Sequence, residues 1–525
     1  MIVREPTPPF NRGGTPPAGE WHRIHSRAMK VGRRTALTVA CALASGCGGL
    51  RVPVADPEVE FTPEPAAPAA AAAEATPAAD WWTSFGDPAL DRVVERALSG
   101  NLTLREAAAR LAQAAADAGI ARSALYPQVG AGVDRLQARQ AFIGLPISDI
   151  AGSVGLPIPG LGEDEVLTAD FVRYGLSLDL SWEANLWRAA TPRARAANAV
   201  MEAAVAEVAG ARVSLAGQAS RLYFLAVEAR EQARIAEAIA ASREETVRWT
   251  RERARIGEAA LAEVDAAEAR LADARAAAAS RRQARAAAVR GLEVLFTDYP
   301  DGEPGPDWDL GRGLPPARSP VPAGAPADLI SRRPDVASAE RRLAMSREFT
   351  EMARRARYPQ FPLTSSVGTA STRLRQLVNG DFSVWSLIAR IAAPVFQGGR
   401  IRAQIRQEEA RDREALAVYA RTVLTAYQEV EAALSAEESL GEMESRSAEA
   451  LTASRRALSR TRSQRRGGFV TRLMELEAER AVLLAESGHL SQARARLDNR
   501  VNLSLALGGG FERTNGDETA DAGER

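Results

Sequence analysis

From Arg193 to Tyr299, and again from Val395 to the end, the sequence contains no proline, and alanine, arginine and glutamate recur there with helical spacing. Taking Gly257 and Gly468 as points of reversal, the spacing predicts helices over about 193–256 and 400–466. At 1.5 Å per residue each would be roughly 95–100 Å long, where globular helices average about 11–12 residues. Such helices need neighbours along their whole length. Small and apolar residues recur at Val208, Ala211, Leu215, Ala219, Leu222 and Ala226, and at Leu416, Ala420, Val423, Tyr427, Val430 and Leu434. Spacings of three and four mark coiled-coil-like packing. Alanine on several faces suits helices with neighbours on two sides, yet the helices alone would also fit a long antiparallel coiled coil.

The stretch "FVRYGLSLDLSW" (171–182) does not belong in a coiled coil. Val172, Tyr174, Leu176, Leu178, Leu180 and Trp182 alternate with Arg173, Gly175, Ser177, Asp179 and Ser181, which is a strand with one apolar and one polar face. A second strand is expected near 128–137, across a Gly- and Pro-rich loop. The pattern then repeats. Tyr126-Pro127-Gln128 returns as Tyr358-Pro359-Gln360, 232 residues on, and Gly257 returns as Gly468, 211 residues on. In the second half a strand near 360–369 turns through "NGD" into a strand from Phe382 to Ala393. Each half therefore predicts one β-hairpin, about 128–182 and about 360–393, followed by a long helix and a return helix.

A 12-residue strand is about 40 Å long and, tilted by roughly 45°, spans the apolar band of about 25 Å of an outer-membrane barrel. Tyr174 and Trp182, near the ends of the apolar face, suit aromatic girdles. Lipid tolerates no open sheet edge, because unpaired N–H and C=O groups find no water there. Four strands cannot close, so other copies of the chain must complete the barrel: two give eight strands, and three give twelve around a pore.

Composition removes several classes of function. Charge balances to +0, Lys30 is the only lysine, and no basic field points to nucleic acid. His22, His25 and His489 are the only imidazoles, which leaves no histidine-based metal or catalytic site, and no cofactor is expected. Cys41 and Cys47 are too few and too close for a disulfide framework. The segment from Met29 carries a basic cluster (Lys30, Arg33, Arg34), a short apolar run and then Leu43-Ala44-Ser45-Gly46-Cys47. It reads as an export signal, since the run is far short of the roughly 20 residues that span a bilayer. It is similar to a bacterial lipoprotein signal that would place lipid on Cys47; an ordinary secretory signal is the alternative. Residues 1–46 are thus a signal region with a possible start at Met29, 47–79 a Pro/Ala-rich linker, 80–300 and 301–511 the two repeats, and 512–525 a disordered tail.

The segments "WWTSFGDPALDRVVERAL" (81–98), "SWEANLW" (181–187), "SRRPDVASAERRL" (331–343), "APVFQGGR" (393–400) and "VNLSLALGGGF" (501–511) resemble the TolC-type outer-membrane channels, in particular their lipoprotein, NodT-like branch. Asn185 stands where many relatives have aspartate, and Arg188 where glycine is usual. The resemblance implies a mostly α chain with a transmembrane β part, assembled as a homotrimer with a 12-stranded β-barrel and a 12-helix periplasmic α-barrel. It implies a passive export duct without catalysis, docked to a periplasmic adaptor (membrane fusion) protein that serves an inner-membrane efflux transporter. Location would be the outer membrane of a Gram-negative bacterium, lipid-anchored, with most of the mass in the periplasm.

By the same resemblance Gly257 and Gly468 would lie at the tips that meet the adaptor, and Glu477, Glu475 and Arg472 at a periplasmic gate. Leu176, Leu178, Leu180 and Trp182 would face lipid. A solvated helix face with i to i+3 and i+4 pairing is the plainer reading of the charged residues. Two other functions remain open at this level: a duct for protein secretion, and a lipid-tethered periplasmic coiled coil without a pore.

Overall fold

The computed structural model describes residues 80–142, 167–305, 308–317 and 332–510. Cys47, the signal region, the linker, most of the Gly- and Pro-rich loop and the tail fall outside the described residues. In chain order the elements are helices α1 (Pro88–Gly100) and α2 (Leu102–Ser123), strands β1 (Gln128–Phe142) and β2 (Leu167–Glu183), and helices α3 (Thr191–Arg255) and α4 (Leu261–Phe296). Helix α5 (Pro334–Arg355), strands β3 (Pro362–Ser371) and β4 (Ser383–Ala389), and helices α6 (Arg400–Arg466) and α7 (Arg472–Ala506) follow. The two helices expected at about 193–256 and 400–466 are therefore present at 65 and 67 residues.

The two hairpins fuse into one antiparallel sheet of order β1-β2-β3-β4. Parity sorts its faces. Val129, Ala131 and Val133 lie opposite Leu180, Leu178 and Leu176, and Leu178 continues across Val367 to Trp385, all on one face. The other face carries Asp134, Ser177, Asp179, Ser181, Thr364, Ser366 and Ser386, with Arg173 paired to Asp134 at 3.2 Å. Three expected boundaries need correction: β1 runs on to Phe142 and not 137, β2 begins at Leu167 and not Phe171, and the last strand ends at Ala389, not Ala393. Arg390 N–H donates to Pro362 O, but proline has no N–H to return the bond, so the ladder breaks and resumes only as the Gln360–Ala392 bridge.

Each long helix is flanked by two short ones placed end to end. Asn101, which caps α2 by accepting from Thr103 N–H, donates to Leu295 O near the end of α4, and Arg333, just before α5, donates to Ala506 O at the end of α7. Helices α2 and α4 pack on α3, while α5 and α7 pack between α3 and α6. This order explains the burial: α3 hides 23 residues and α6 only four, Ala426, Val430, Ala433 and Leu451. Helix α3 is interior to the layer and α6 is an edge.

The main core girdles the middle of α3. Phe224 is fully buried, with ring contacts to Phe85 at 5.3 Å and Tyr223 at 5.8 Å, and Trp81, Trp82, Leu90, Val93, Val94, Val289, Leu292, Phe296, Trp308 and Val501 complete the cluster. Asp87 joins capping to packing: one carboxylate oxygen accepts from Ala89 N–H at the start of α1, and the other accepts from the Tyr223 hydroxyl at 2.7 Å. Among the described residues no helix is long and apolar enough to cross a membrane.

Candidate functional site

Apart from Cys47, which lies outside the described residues, the residues singled out from the sequence lie in two regions, the sheet and the helix reversals. On the sheet, Leu176 and Leu178 are exposed on the apolar face, Leu180 is half-buried beside them, and Tyr174 lies under the Arg135 guanidinium, 5.9 Å from its ring centre. Trp182 is half-buried and its indole N–H donates to Leu125 O at 3.2 Å, so it also ties β2 to the chain entering β1.

At the reversals, Gly257 and Gly468 have φ of +85° and +80°. Each closes its helix with the same pair of bonds: Gly257 N–H to Ala254 O with Glu258 N–H to Arg253 O, and Gly468 N–H to Arg465 O with Phe469 N–H to Gln464 O. A Cβ at either position would meet nothing within 4 Å, so the demand is purely one of backbone conformation. Gly257→Ala and Gly468→Ala are each expected to cost about 1 kcal/mol locally. Amide exchange within the reversal should then accelerate by about fivefold, while the midpoint of global unfolding stays in place. An unchanged exchange rate would refute the left-handed requirement.

Arg472, Glu475 and Glu477 do not form one group. Glu475 is almost fully buried and held by Arg472 at 2.8 Å, by Arg462 at 3.4 Å and by Arg465. Arg472 reaches back to α3 with a two-pronged contact, 2.9 Å from each carboxylate oxygen of Glu245, and also lies 3.4 Å from Glu479. Glu477 alone is exposed. Burial opposes ionisation of Glu475, yet Arg472, Arg465 and Arg462 outweigh it and hold the carboxyl below the ordinary value of 4.5. The Arg472 hydrogen bond lowers Glu245 in the same way. Glu475 is therefore committed inside the protomer, to a clamp joining α3, α6 and α7. Sequence reasoning missed Glu245, Arg462, Arg465 and Glu479, because no local pattern links residues on three helices.

These features match known proteins along most of the chain. Residues 93–296 and 325–509 both match the family described as outer membrane efflux protein. The chain belongs to that family. Among outer membrane efflux proteins, it is 29% identical over 483 residues to the pyoverdine export outer membrane protein OpmQ of Pseudomonas aeruginosa, covering 91% of this chain and 97% of the relative. It is 25% identical over 432 residues to the probable outer membrane lipoprotein SilC of Salmonella typhimurium, covering 82% and 88%. The structure of the outer-membrane channel OprN superposes with a TM-score of 0.72 at 29% identity, covering 86% of this chain and 98% of that one. As an outer membrane efflux protein the chain is a channel and not an enzyme, and among its described residues no group of three His, Cys, Asp or Glu side chains could hold a metal ion.

Proposed function

We propose that three copies of this chain close a single 12-stranded barrel in the outer membrane and continue it as a 12-helix tunnel in the periplasm, anchored by lipid on Cys47. One observation carries this reading. The sheet ends at β1 and β4 with unpaired strand edges, and the helical layer ends at α2/α4 on one side and α6 on the other. Edges of both layers thus belong to the same two margins of the chain. Joining the β1, α2 and α4 margin of one copy to the β4 and α6 margin of the next pairs the two free strand edges along the length of β4 and covers Leu416, Leu424 and Met443 of α6. The two halves, 80–300 and 301–511, then act as repeats, in keeping with the doubled family match.

The polar face, with its serines, threonines and Asp134–Arg173 pairs, lines the lumen, and the face of Leu176, Leu178, Leu180 and Trp182 meets lipid. The tips at Gly257 and Gly468 receive a periplasmic adaptor coupled to an inner-membrane efflux transporter. Three copies of exposed Glu477 face the tunnel axis as a cation-binding gate, while Arg472 and Glu475 hold the tip shut from within each protomer. A lipid anchor on Cys47 would put the chain in the lipoprotein branch, a reading that the similarity to the probable outer membrane lipoprotein SilC supports. Relatives described as exporting pyoverdine and as belonging to toluene efflux pumps differ widely in cargo. A common duct that conducts what its pump delivers accounts for that range.

The native mass of detergent-extracted protein tests the assembly: a trimer is expected, and a monomer, a dimer or release without detergent would sink it. Leu178→Arg is expected to destabilise the membrane-inserted state by about 2–4 kcal/mol and to abolish trimer recovery. Ser177→Arg, one residue away on the opposite face, should leave the trimer intact. Equal behaviour of the two would mean that the sheet has no lipid face.

A further inference from the structure

The apolar face of the sheet does not stop at the last paired strand residue. Beyond the Trp182–Leu363 pair it continues through Phe361 to Trp187, whose ring lies 6.4 Å from Phe361 and is stacked on Tyr358 at 5.8 Å. Leu186, Trp187 and Tyr358 are exposed although they are large and apolar or aromatic. Two arginines flank the stack in sequence, Arg188 after Trp187 and Arg357 before Tyr358. Neither makes an ion pair among the described residues, whereas most arginines of the helical layer are paired with a carboxylate. The Arg357 side chain donates to the Arg354 carbonyl at 3.1 Å, and Arg355, which donates to Arg188 O, ties the two segments together.

Arg188 is also strained. Its φ is +52°, and Thr297 is the only other non-glycine residue with positive φ among the described residues. The left-handed region disfavours any residue with a Cβ and favours glycine. An exposed, unpaired arginine in that conformation points to a function of its side chain.

We infer that Arg188 and Arg357, which adjoin the stacked Trp187 and Tyr358 in sequence, form a binding site for the phosphodiester headgroup of an anionic phospholipid at the membrane surface where sheet gives way to helices. The chemistry fits on three counts. Aromatic rings with polar edges settle at the headgroup level, guanidinium groups bind phosphate through paired N–H donors, and the cluster is continuous with the apolar face above it. The site rests on the reading that this face lies in the membrane.

The test uses the full chain in bilayer discs of phosphatidylethanolamine with phosphatidylglycerol, followed by extraction and native mass spectrometry of retained lipid. Each arginine near an anionic surface contributes about fivefold in partition. The unaltered protein is therefore expected to retain phosphatidylglycerol over phosphatidylethanolamine by at least tenfold. Arg188→Gly should lower that preference by about fivefold while leaving thermal stability equal or higher, because glycine accepts the backbone. Adding Arg357→Gln should bring the preference close to parity. No preference in the unaltered protein, or full preference in the double variant, would overturn the site, and so would complete displacement of the lipid by inorganic phosphate. A chain that fails to enter the discs at all would instead defeat the membrane reading itself, whereas insertion without lipid preference removes only this site.

Discussion

Phe224→Ala is expected to destabilise the protein by about 3–5 kcal/mol. Phe224 is fully buried at mid-length in α3, where neighbouring helices hem it in on several sides, so the vacated volume cannot collapse. Its edge contact with Phe85 at 5.3 Å also disappears, which loosens the Trp81–Phe85 segment packed in the same cluster. Tryptophan fluorescence should red-shift as Trp81 and Trp82 meet water, and protease cleavage should appear near Gly86. A variant that unfolds like the parent, with unchanged fluorescence, would mean that this belt is not the stabilising centre of the chain.

The second large effect is expected at the tip. Arg472→Ala removes the two-pronged contact with Glu245 and one of three positive partners of buried Glu475. Removing one member of a fully buried pair costs about 3–5 kcal/mol. Glu245 and Arg472 keep some solvent exposure, so about 2–3 kcal/mol is the fitting figure, felt as loosening of the α6–α7 tip from α3. In planar bilayers the variant should conduct more than the parent, and amide exchange should rise around Glu245 and Arg472. Glu477→Gln should differ, weakening block by cations while leaving that exchange pattern unchanged. If both variants conducted like the parent, neither the clamp nor the gate would survive.

Acid should act as Arg472→Ala does. The carboxyls of Glu245 and Glu475 are held below the ordinary glutamate value of 4.5. A depressed carboxyl stabilises the folded state fully above that value, and the contribution is lost as pH falls through the lower, folded one. The clamp should therefore hold at neutral pH and loosen only below about pH 4.5.

Much of the architecture was legible because it is written in short periods. Absence of proline together with three- and four-residue spacing placed α3 and α6 to within about two residues of their ends, and alternation from Val172 to Trp182 placed β2 and its faces. Gly257 and Gly468 marked the reversals because a left-handed cap is a demand of one residue on its own backbone. Even the error at β4 had a local cause, as Pro362 lies in the strand opposite and removes a rung of its ladder.

Contacts between residues far apart in the chain carry no such local mark. Nothing in either hairpin states that β2 pairs with β3, since both faces and both edges would satisfy the same alternation. Burial of Glu475 depends on Arg462 and Arg465 from α6, and the Arg472–Glu245 contact spans 227 positions. A glutamate in a helix looks the same in sequence whether solvent or three guanidinium groups await it. The lengths of the helices, the faces of the strands and the places where the chain turns follow from periodicity and backbone preference, which each stretch of sequence carries on its own. Which helix lies inside the layer, which charges are locked together, and which arginines are left facing outward were decided by packing, where distance in space replaces distance along the chain.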